Sequence, residues 1–445
     1  MRANTSFDEQ RVLSSQKPTK VRMSILLMIF ICVIINYMDR ANISIAGPHL
    51  ATDLGLNSVE LGLVFSAFGW AYCILQIPGG LVIDKLGTRL TYTLSLILWS
   101  IVTLLQSIAT GFGSMFGLRL SVGAFEAPAY PTNNRVITSW FPDNERASAI
   151  GFYTSGQFVG LAFLAPILTT IQNYFGWRTL FIITGLVGIV WGIIWFFIYR
   201  DPLKHKRINQ QELNYLRENG AVIEKTSDDP KAILGPKKKI TFRQASVVFT
   251  SRKLWGIYIG QFAVGTTLWF FLTWFPTYLV DYRHLDFIKS GFLASIPYLA
   301  AFVGVIASGI VSDRMMKHGV NPSIARKMPI ILGLLLSTTI IGANFTDNTA
   351  LIMFFMTLAF FGNGVASITW VFVSALAPKE LLGLAGGTFN FIGGLPAIII
   401  PIVIGLLVQG GNFAPALIFI ASITVIGALS YIFLVGKVER VSSKS

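Results

Sequence analysis

Apolar stretches about 20 residues long recur along this chain, and they restrict its fold more than any other feature. They run from Ile25 to Val435 with short polar gaps between them, about twelve in all. A helix of ~20 residues crosses the ~30 Å hydrocarbon core of a bilayer. Because 53% of the 445 residues are hydrophobic and 13% charged, the chain has too much apolar surface for a water-soluble core. The sequence therefore predicts an all-α integral membrane protein with twelve transmembrane helices.

The start of the chain is polar and has no signal-peptide pattern. Residues 1–20 are polar, and the first apolar run, Met23 to Tyr37, continues into a charged pair instead of a small-residue cleavage site. We expect this run to be retained as the first span. Cys32 and Cys73 lie inside predicted spans, and their number and spacing fit neither a disulfide framework nor a metal site. We therefore expect no metal and no cofactor.

The net charge of +14 is one-sided along the predicted topology. Residues 47–58, 109–114, 344–349 and 409–412, which are alternate gaps between spans, contain no Lys or Arg. By the positive-inside rule, the chain is a multi-pass protein of a bacterial inner membrane with both termini cytoplasmic, and we expect no nucleic-acid partner. The basic residues on the cytoplasmic side are Arg2, Arg11, Lys17, Lys20, Arg22, Lys85, Arg89, Arg146, Arg314, Lys317, Arg326, Lys327 and Lys379.

One long polar segment at the middle of the chain divides the spans six and six. Within it, Asn209 to Glu218 is typical of a short surface helix, and the remainder is typical of a solvated linker without chemistry. The predicted organisation is two six-helix bundles with cytoplasmic segments around them. The predicted ranges are an N-terminal tail (1–20), a first bundle (21–199), a central loop (200–252), a second bundle (253–436) and a C-terminal tail (437–445).

The two halves repeat a loop pattern. After the second span the chain has Gly80-x-x-x-Asp84-Lys85-x-Gly87-x-Arg89, and after the eighth it has Gly309-x-x-x-Asp313-Arg314. Repeated helical bundles around a cavity at mid-membrane are a common construction of secondary transporters. The repeat predicts two pseudo-symmetric bundles.

These motifs resemble those of the major facilitator superfamily. The loop from Gly80 to Arg89 is similar to the signature of that superfamily. YMDRAN at 37–42 and EAPAYPTNNR at 126–135 resemble its anion:cation symporter branch. Further segments, at 151–158, 261–276 and 361–370, are similar to the galactonate/proton symporters among bacterial sugar-acid permeases, although glucarate permeases share much of the pattern. The resemblance implies the major facilitator fold and a monomer that imports an anionic sugar acid with protons by alternating access.

Four ionisable side chains fall inside predicted spans, where each costs ~2.5–3.5 kcal/mol or more to insert. They are Asp39, Arg40, Arg119 and Glu126. Arg119 and Glu126 are seven residues apart, which is two helical turns or about 10.5 Å, so they share one helix face. Pro128, like Pro131, frees a backbone carbonyl that needs protein or water as a partner. Both observations predict that Glu126 lies beside an internal cavity.

We expect Asp39 and Glu126 to be proton-coupling sites and the two arginines to be anion partners. Protonation of Glu126 would release positive potential for a substrate carboxylate, which a planar guanidinium binds well. The resemblance favours Arg40 as the substrate-linked charge and keeps Arg119 as a charge partner within the first bundle. The alternative is structural: Asp39 and Arg40 pair with neighbouring helices, and Glu126 pairs with Arg119.

A polyhydroxylated acid also needs neutral hydrogen-bonding groups and an aromatic wall. Asn363, Ser367, Trp370 and Ser374 recur on one face of the tenth span. For each such residue, hydrogen bonding between helices is the alternative. The resemblance implies that the substrate faces Tyr37, Tyr72, Gln157, Gln261, Ser367, Thr369, Trp370 and Asn390.

The loop after the second span has a separate predicted role in gating. In the superfamily, this loop latches the cytoplasmic helix ends in one state and releases them in the other. Asp84 could cap a helix N-terminus or pair with Arg146, and the alternative is a polar turn without function. The predicted gating residues are Gly80, Asp84, Lys85, Gly87, Arg89 and Arg146.

Other functions fit the sequence less well. It offers no nucleophile arrangement, metal spacing or phosphate-binding loop, so we predict that the chain is not an enzyme. Drug/proton efflux is the main rival, but Arg40 and Arg119 favour an anion over a lipophilic cation. A glucarate or hexuronate permease, another organic-anion permease of this type, and a proton-independent anion exchanger or uniporter stay open as alternatives.

Overall fold

The computed structural model describes residues 17–223 and 242–441. Parts of the two predicted tails and of the central loop lie outside those ranges. Within the described ranges the regular structure is entirely helical, without a strand. This follows from the apolar composition, because a segment in hydrocarbon must satisfy its backbone hydrogen bonds internally.

The first six spans lie before the central segment. The second and third spans share one helical run that Gly87 interrupts with φ +73°, and the fifth and sixth share another that Gly176 interrupts with φ +79°. A positive φ is accessible to glycine without steric cost. The helices are Val21–Leu54, Ser58–Leu105, Phe112–Glu126 with Ala129–Trp140, and Asp143–Ile198.

Six more spans follow the central segment, which itself contains a surface helix, Gln210–Glu218. A second short helix, Phe242–Thr250, precedes the seventh span. The spans are Arg252–Thr273 continuing into Phe275–Thr277, Phe287–Lys317, Pro322–Ser337 with the 3-10 segment Thr338–Phe345, Thr349–Ala366 with Trp370–Leu376, Leu382–Gly394 with Pro396–Leu407, and Ala414–Phe433.

Twelve crossings account for these helices. Ten segments are individually long and apolar enough to cross a membrane. One of them, Asp143–Ile198, has 56 residues and provides two crossings on either side of Gly176. The pair Phe112–Glu126 and Ala129–Trp140 provides a further crossing, in two shorter pieces. The prediction of an all-α membrane fold with twelve transmembrane helices is confirmed.

The break in the fourth span determines where Glu126 lies. Glu126 is the last residue of one helical piece, and the next piece begins at Ala129, after Pro128. The hydroxyl and the backbone N–H of Thr132 both donate to the carbonyl of Pro128, at 2.7 and 3.0 Å. Regular helical hydrogen bonding thus resumes at Pro128, directly after the break. The break leaves Glu126 fully buried at a kink in the interior.

We call the end of the molecule that carries Lys20, Lys85 and Arg146 the basic end, and the other the opposite end. The two bundles contact each other closely at the opposite end. Gly62 of the second span abuts the carbonyl of Pro401 in the eleventh, and the Ser44 hydroxyl donates to the Thr273 carbonyl at 2.7 Å. Glycine at such contacts lets two backbones approach closely.

The bundles separate towards the basic end. Along the second and eleventh spans, the contacts end with a hydrogen bond of 2.8 Å from the Asn390 amide to Gln76. Beyond it, a Cβ built on Gly80 or Gly387 would meet no atom of the described chain within 4 Å. Asn390 and Trp370 are also exposed there. The structure is therefore closed at the opposite end and open between the bundles at the basic end.

The surface helix Gln210–Glu218 is anchored to the first bundle. Glu212, fully buried, accepts hydrogen bonds from the backbone N–H groups of Val21 and Arg22 at 3.1 and 3.2 Å. Its carboxylate thus satisfies the N-terminal donors of the first span. Arg22 joins Glu212 to Glu145, at 3.1 and 3.0 Å, and the Tyr215 hydroxyl donates to Glu145 at 2.7 Å. The predicted surface helix is therefore present, with a structural role beyond that of a tether.

Replacing Glu212 should destabilise the first bundle. The Glu212→Ala variant leaves two backbone donors and part of the Arg22 charge without a partner. Breaking a buried pair in this way costs about 3–5 kcal/mol. We expect a lower midpoint of thermal unfolding in detergent. The exposed Glu218 lies on the same helix, so Glu218→Ala is the matched control and should unfold like the parent. Equal midpoints for both variants would contradict the anchoring role.

Candidate functional site

A buried ion pair joins the first and fourth spans. Arg40 donates from Nε and Nη2 to Oε1 of Glu126, at 2.9 and 2.5 Å. The Arg40 side chain is 7% exposed and that of Glu126 is 0% exposed. Two charges in a dry interior attract strongly, but each has lost its hydration, so the pair is sensitive to any change in the charge of one partner. When Glu126 becomes neutral, Arg40 can bind another anion in place of the Glu126 carboxylate.

Aromatic rings surround the Arg40 guanidinium. Its central carbon lies 4.9 Å from the ring centre of Tyr37, 4.8 Å from that of Phe68 and 5.0 Å from that of Tyr72. A cation over a ring face gains about 0.5–2 kcal/mol per contact. The three rings therefore hold the cation in place without neutralising it, so its charge stays available to an anion.

Asp39 lies inside the first bundle and has a different environment. The Trp99 indole N–H donates to its Oδ2 at 2.8 Å, and the Asn42 amide lies 3.4 Å from its Oδ1. Asn42 also contacts the Thr184 hydroxyl of the sixth span at 3.2 Å. Asp39 forms no ion pair within 4.0 Å in the part of the chain that the structure describes. Its carboxylate is held by neutral donors alone.

Arg119 is placed beside both carboxylates without pairing with either. Its Nη1 donates to the backbone carbonyl of Asp39 at 3.3 Å, and its guanidinium lies 5.6 Å from the ring centre of Phe68. Its Nε has no hydrogen-bond partner among the described residues. The alternative in which Glu126 pairs with Arg119 is wrong for this conformation, because the first span brings Arg40 closer to Glu126.

The predicted neutral residues form separate small groups. The Thr369 hydroxyl donates to Gln261 at 2.6 Å, joining the seventh and tenth spans. Asn390 bonds to Gln76 across the bundles, as described above. The Ser367 hydroxyl donates to its own helix at Gly364, whereas Trp370 is 51% exposed beside Phe389. Gln157 is half-buried on the fifth span.

Sequence reasoning missed three neighbours of the charged residues. They are Phe68, Trp99 and Asn36, and each is an ordinary residue of a span whose role depends on a second helix. Asn36 had a usable signal, since it lies four residues before Arg40 and therefore on the same helix face. For Phe68 and Trp99, the pattern of residues along their own helix does not indicate which charged residue of another helix they contact.

The loop after the second span contacts other elements than expected. Asp84 lies 3.4 Å from Arg135 of the fourth span, and both side chains are partly exposed. The expected partner Arg146 instead pairs with Asp143 at 2.7 Å. The predicted Asp84–Arg146 pair is therefore wrong here, because Arg146 is closer to the acidic start of its own helix.

Other predicted gating residues contact the sixth span or lie at the surface. The Arg89 guanidinium donates to the Phe196 carbonyl at 2.9 and 2.6 Å and lies 4.1 Å from the Phe196 ring centre. Gly87 supplies the turn between the second and third spans. Lys85 is exposed, and Gly80 is half-buried at the open end.

Comparison with known proteins places this geometry in a family. The model of the Major Facilitator Superfamily matches residues 29–401. The D-galactonate transporter of Escherichia coli O6:H1 is 52% identical, covering 96% of this chain and 99% of its own length. The probable galactarate/D-glucarate transporter of Bacillus subtilis is 42% identical, covering 98% and 97%. The hexuronate transporter of the same organism is 31% identical, covering 93% and 94%.

Solved structures show the same fold at low sequence identity. A bacterial homologue of the human lysosomal transporter Spinster, inward-facing and occupied, has a TM-score of 0.72 at 17% identity, covering 94% of this chain and 97% of its own. The inward-open xylose transporter of E. coli has a TM-score of 0.71 at 13% identity, with the same coverages. The chain therefore belongs to the major facilitator superfamily and is a multi-pass membrane transporter, not an enzyme, related to bacterial sugar-acid transporters.

Proposed function

We propose that this protein is a proton-coupled symporter that imports an aldonate, with D-galactonate as the leading substrate. The single observation that carries the proposal is the buried Arg40–Glu126 pair. A sugar acid and Glu126 each present one carboxylate, and Arg40 can pair with one of them at a time. Binding of the anion is thereby linked to protonation of Glu126.

The charge of the pathway favours a substrate with one carboxylate. Residues 41–84, 254–282, 328–378 and 380–436 contain no Lys or Arg, so the described inner parts of these spans offer no second cation. The nearby neutral groups are hydroxyls and amides, which suit a polyhydroxylated chain. An aldarate has a second carboxylate, for which the inner parts of the second bundle's described spans offer no cation, so burying that carboxylate there carries a large desolvation cost.

The proposed cycle uses one exchange of partners at Arg40. When Glu126 gains a proton on the outer side, its hold on the guanidinium weakens, and the substrate carboxylate takes its place. Fork-like geometry lets Arg40 bind either carboxylate through two N–H groups. After the cavity turns inward, Glu126 loses its proton, pairs with Arg40 again and displaces the substrate. In this structure Arg40 and Glu126 are paired and the cavity is open at the basic end. This arrangement is consistent with the state that follows release of the substrate.

The basic end is proposed to face the cytoplasm. Positive residues concentrate there, which the positive-inside rule associates with the cytoplasmic side of an inner membrane. Both termini then lie in the cytoplasm. If two protons accompany one monoanion, each cycle moves one net positive charge inward, and ~100 mV adds ~2.3 kcal/mol of driving force.

Asp39 is proposed as the second proton site. Asp39 directly precedes Arg40 in the chain. Its carboxylate accepts hydrogen bonds from the neutral side chains of Trp99 and Asn42. A buried carboxylate without a cationic partner is costly as an anion, so it can take up a proton without breaking an ion pair. Arg119, which donates to the Asp39 carbonyl, keeps the first bundle electrically balanced when both acids are ionised.

The remaining predicted residues are proposed to bind the sugar chain and to gate the cavity. Tyr37 and Tyr72 form the wall around Arg40, and the Gln261–Thr369 and Gln76–Asn390 groups offer donors and acceptors for hydroxyls. Gln157, Ser367 and Trp370 are proposed to complete the site when the bundles close at the basic end. In the open state, Asp84 and Arg89 hold the second and third spans to the fourth and sixth.

Replacing Arg40 by lysine should weaken anion binding. The ammonium keeps the charge but loses the planar fork that binds a carboxylate through two N–H groups. We expect Arg40→Lys to raise the Kd for D-galactonate by about tenfold, or ~1.4 kcal/mol, in calorimetric titration of the purified protein. Arg178 pairs with Asp53 at the opposite end, so Arg178→Lys is the control and should bind like the parent. Unchanged affinity in Arg40→Lys would contradict the assignment.

Uptake into proteoliposomes tests the function itself. The assay compares labelled galactonate, gluconate, glucarate and glucuronate, with and without an inward proton gradient. We expect D-galactonate to accumulate only with the gradient, because Glu126 must gain a proton for Arg40 to bind it. Glu126→Gln should bind and exchange the substrate without accumulating it.

A second carboxylate provides the control for that variant. Glu60 lies at the opposite end in a capping box, where glutamine serves equally well, so Glu60→Gln should transport like the parent. Accumulation of glucarate instead of galactonate would favour an aldarate permease. Uptake that ignores the gradient, with Glu126→Gln equal to the parent, would identify a uniporter or an exchanger.

A further inference from the structure

A second group of buried polar side chains lies behind Glu126, away from Arg40. Asn36, one helical turn before Arg40 on the first span, has its amide beside the Glu126 carboxylate and is 2% exposed. Asn133, seven residues after Glu126 on the fourth span, lies beside the Tyr92 hydroxyl and is 1% exposed. The first, third and fourth spans thus enclose one polar region.

Four polar atoms of this region have no partner at normal hydrogen-bond distance and angle within the described chain. They are Oε2 of Glu126, both amide atoms of Asn36 and Oδ1 of Asn133. Each buried polar atom left unpaired costs about 1–3 kcal/mol, and native proteins keep such atoms rare. Oε2 of Glu126 and the Asn36 amide lie side by side, and Oδ1 of Asn133 lies about two helical turns further towards the basic end. Ordered water, each molecule with two to four polar partners, is the usual partner of such buried polar atoms.

We propose that Asn36, Asn133 and Glu126 bind a small group of ordered water molecules, and that this water carries the proton between Glu126 and the basic end. The inference rests on the proposed proton coupling and adds its route. In the release step, the Glu126 O–H bond breaks and the proton passes to the adjacent water as hydronium. The electron pair of that bond stays on the oxygen, so the neutral carboxyl becomes a carboxylate anion, which closes on Arg40.

The other side of Glu126 is poorly suited to this transfer. Its Oε1 faces Arg40, which the rings of Tyr37, Phe68 and Tyr72 enclose. A proton leaving that way would have to pass a guanidinium cation, which repels hydronium. The anion and the proton are therefore handled on opposite sides of one carboxylate.

The region continues towards the basic end. On the first span, Cys32 follows Asn36 in that direction, and its sulfur accepts a hydrogen bond from the Trp191 indole at 3.1 Å. The Tyr92 hydroxyl lies beside Cys32 and Asn133, so a polar group extends the route by a further turn. The charged and titratable groups around Glu126 are Asp39, Arg40, Tyr72, Tyr92 and Arg119.

Leucine replacements of the two asparagines test the route. Asn36→Leu and Asn133→Leu keep the branched shape and the number of side-chain heavy atoms but offer water no partner. In proteoliposomes with an entrapped pH dye, gradient-driven D-galactonate uptake and proton influx should both fall by about a hundredfold, the lower end of what positioned proton transfer contributes. Counterflow exchange of D-galactonate, which needs no net proton movement, should stay within about twofold of the parent.

Gln106 offers a matched control. It is a fully buried amide with both polar atoms unpartnered in the described chain, but it lies at the opposite end of the third span. Gln106→Leu should leave proton influx unchanged. An equal loss in Gln106→Leu would assign the effect to buried amides in general and overturn the inference.

A pair of isosteric variants at Asn36 provides a further test if the leucine variants fold poorly. Asn36→Thr and Asn36→Val leave equal room and differ in one hydroxyl, so threonine should retain proton influx and valine should lose it. Equal influx in the two, in a parent that is proton-coupled, overturns the water route alone. A parent that moves no protons with D-galactonate overturns the proposed function as well.

Discussion

The attraction between Arg40 and Glu126 is the interaction on which the rest of the site depends. It joins the first and fourth spans through Glu126 Oε1 in a region from which bulk water is excluded. A charge pair of this kind is stabilising while both partners are ionised. It becomes destabilising when one partner is neutralised, because the remaining charge is then buried without a partner. A sugar carboxylate can relieve that cost at Arg40 in the protonated state. In the symport that we propose, coupling between anion and proton follows from this electrostatic exchange.

The fold supplies the conditions that this pair needs. The break after Glu126 places its carboxylate at a kink, and the rings of Phe68 and Tyr72 fix the guanidinium beside it. Close backbone contacts such as Gly62 with Pro401 seal the opposite end, so that access is from the basic end. The anchored helix Gln210–Glu218 ties the start of the first span, and hence Arg40, to the fifth span. These features fix the surroundings of the pair within the first bundle.

The sequence predicted the spans, the surface helix and the burial of Glu126, because each depends on a pattern within one segment. It did not predict which side chains from different helices meet. Arg119 shares a helix face with Glu126, but the partner is Arg40 on another span. Asp84 similarly lies beside Arg135 rather than Arg146, and Asp39 receives its hydrogen bond from Trp99. Helical periodicity defines the direction of a side chain, whereas the rotation and depth of a neighbouring helix decide what it contacts.

Calorimetric titration of D-galactonate in buffers of different ionisation enthalpy tests the exchange of partners at Arg40 most directly. If anion binding requires Glu126 to be protonated, binding near neutral pH takes up a proton from the buffer. The observed enthalpy should then change with the buffer for the parent protein and become independent of it for Glu126→Gln. An enthalpy of binding that is the same in every buffer for the parent, or an equal buffer dependence in Glu126→Gln, would contradict the coupling assigned to this pair.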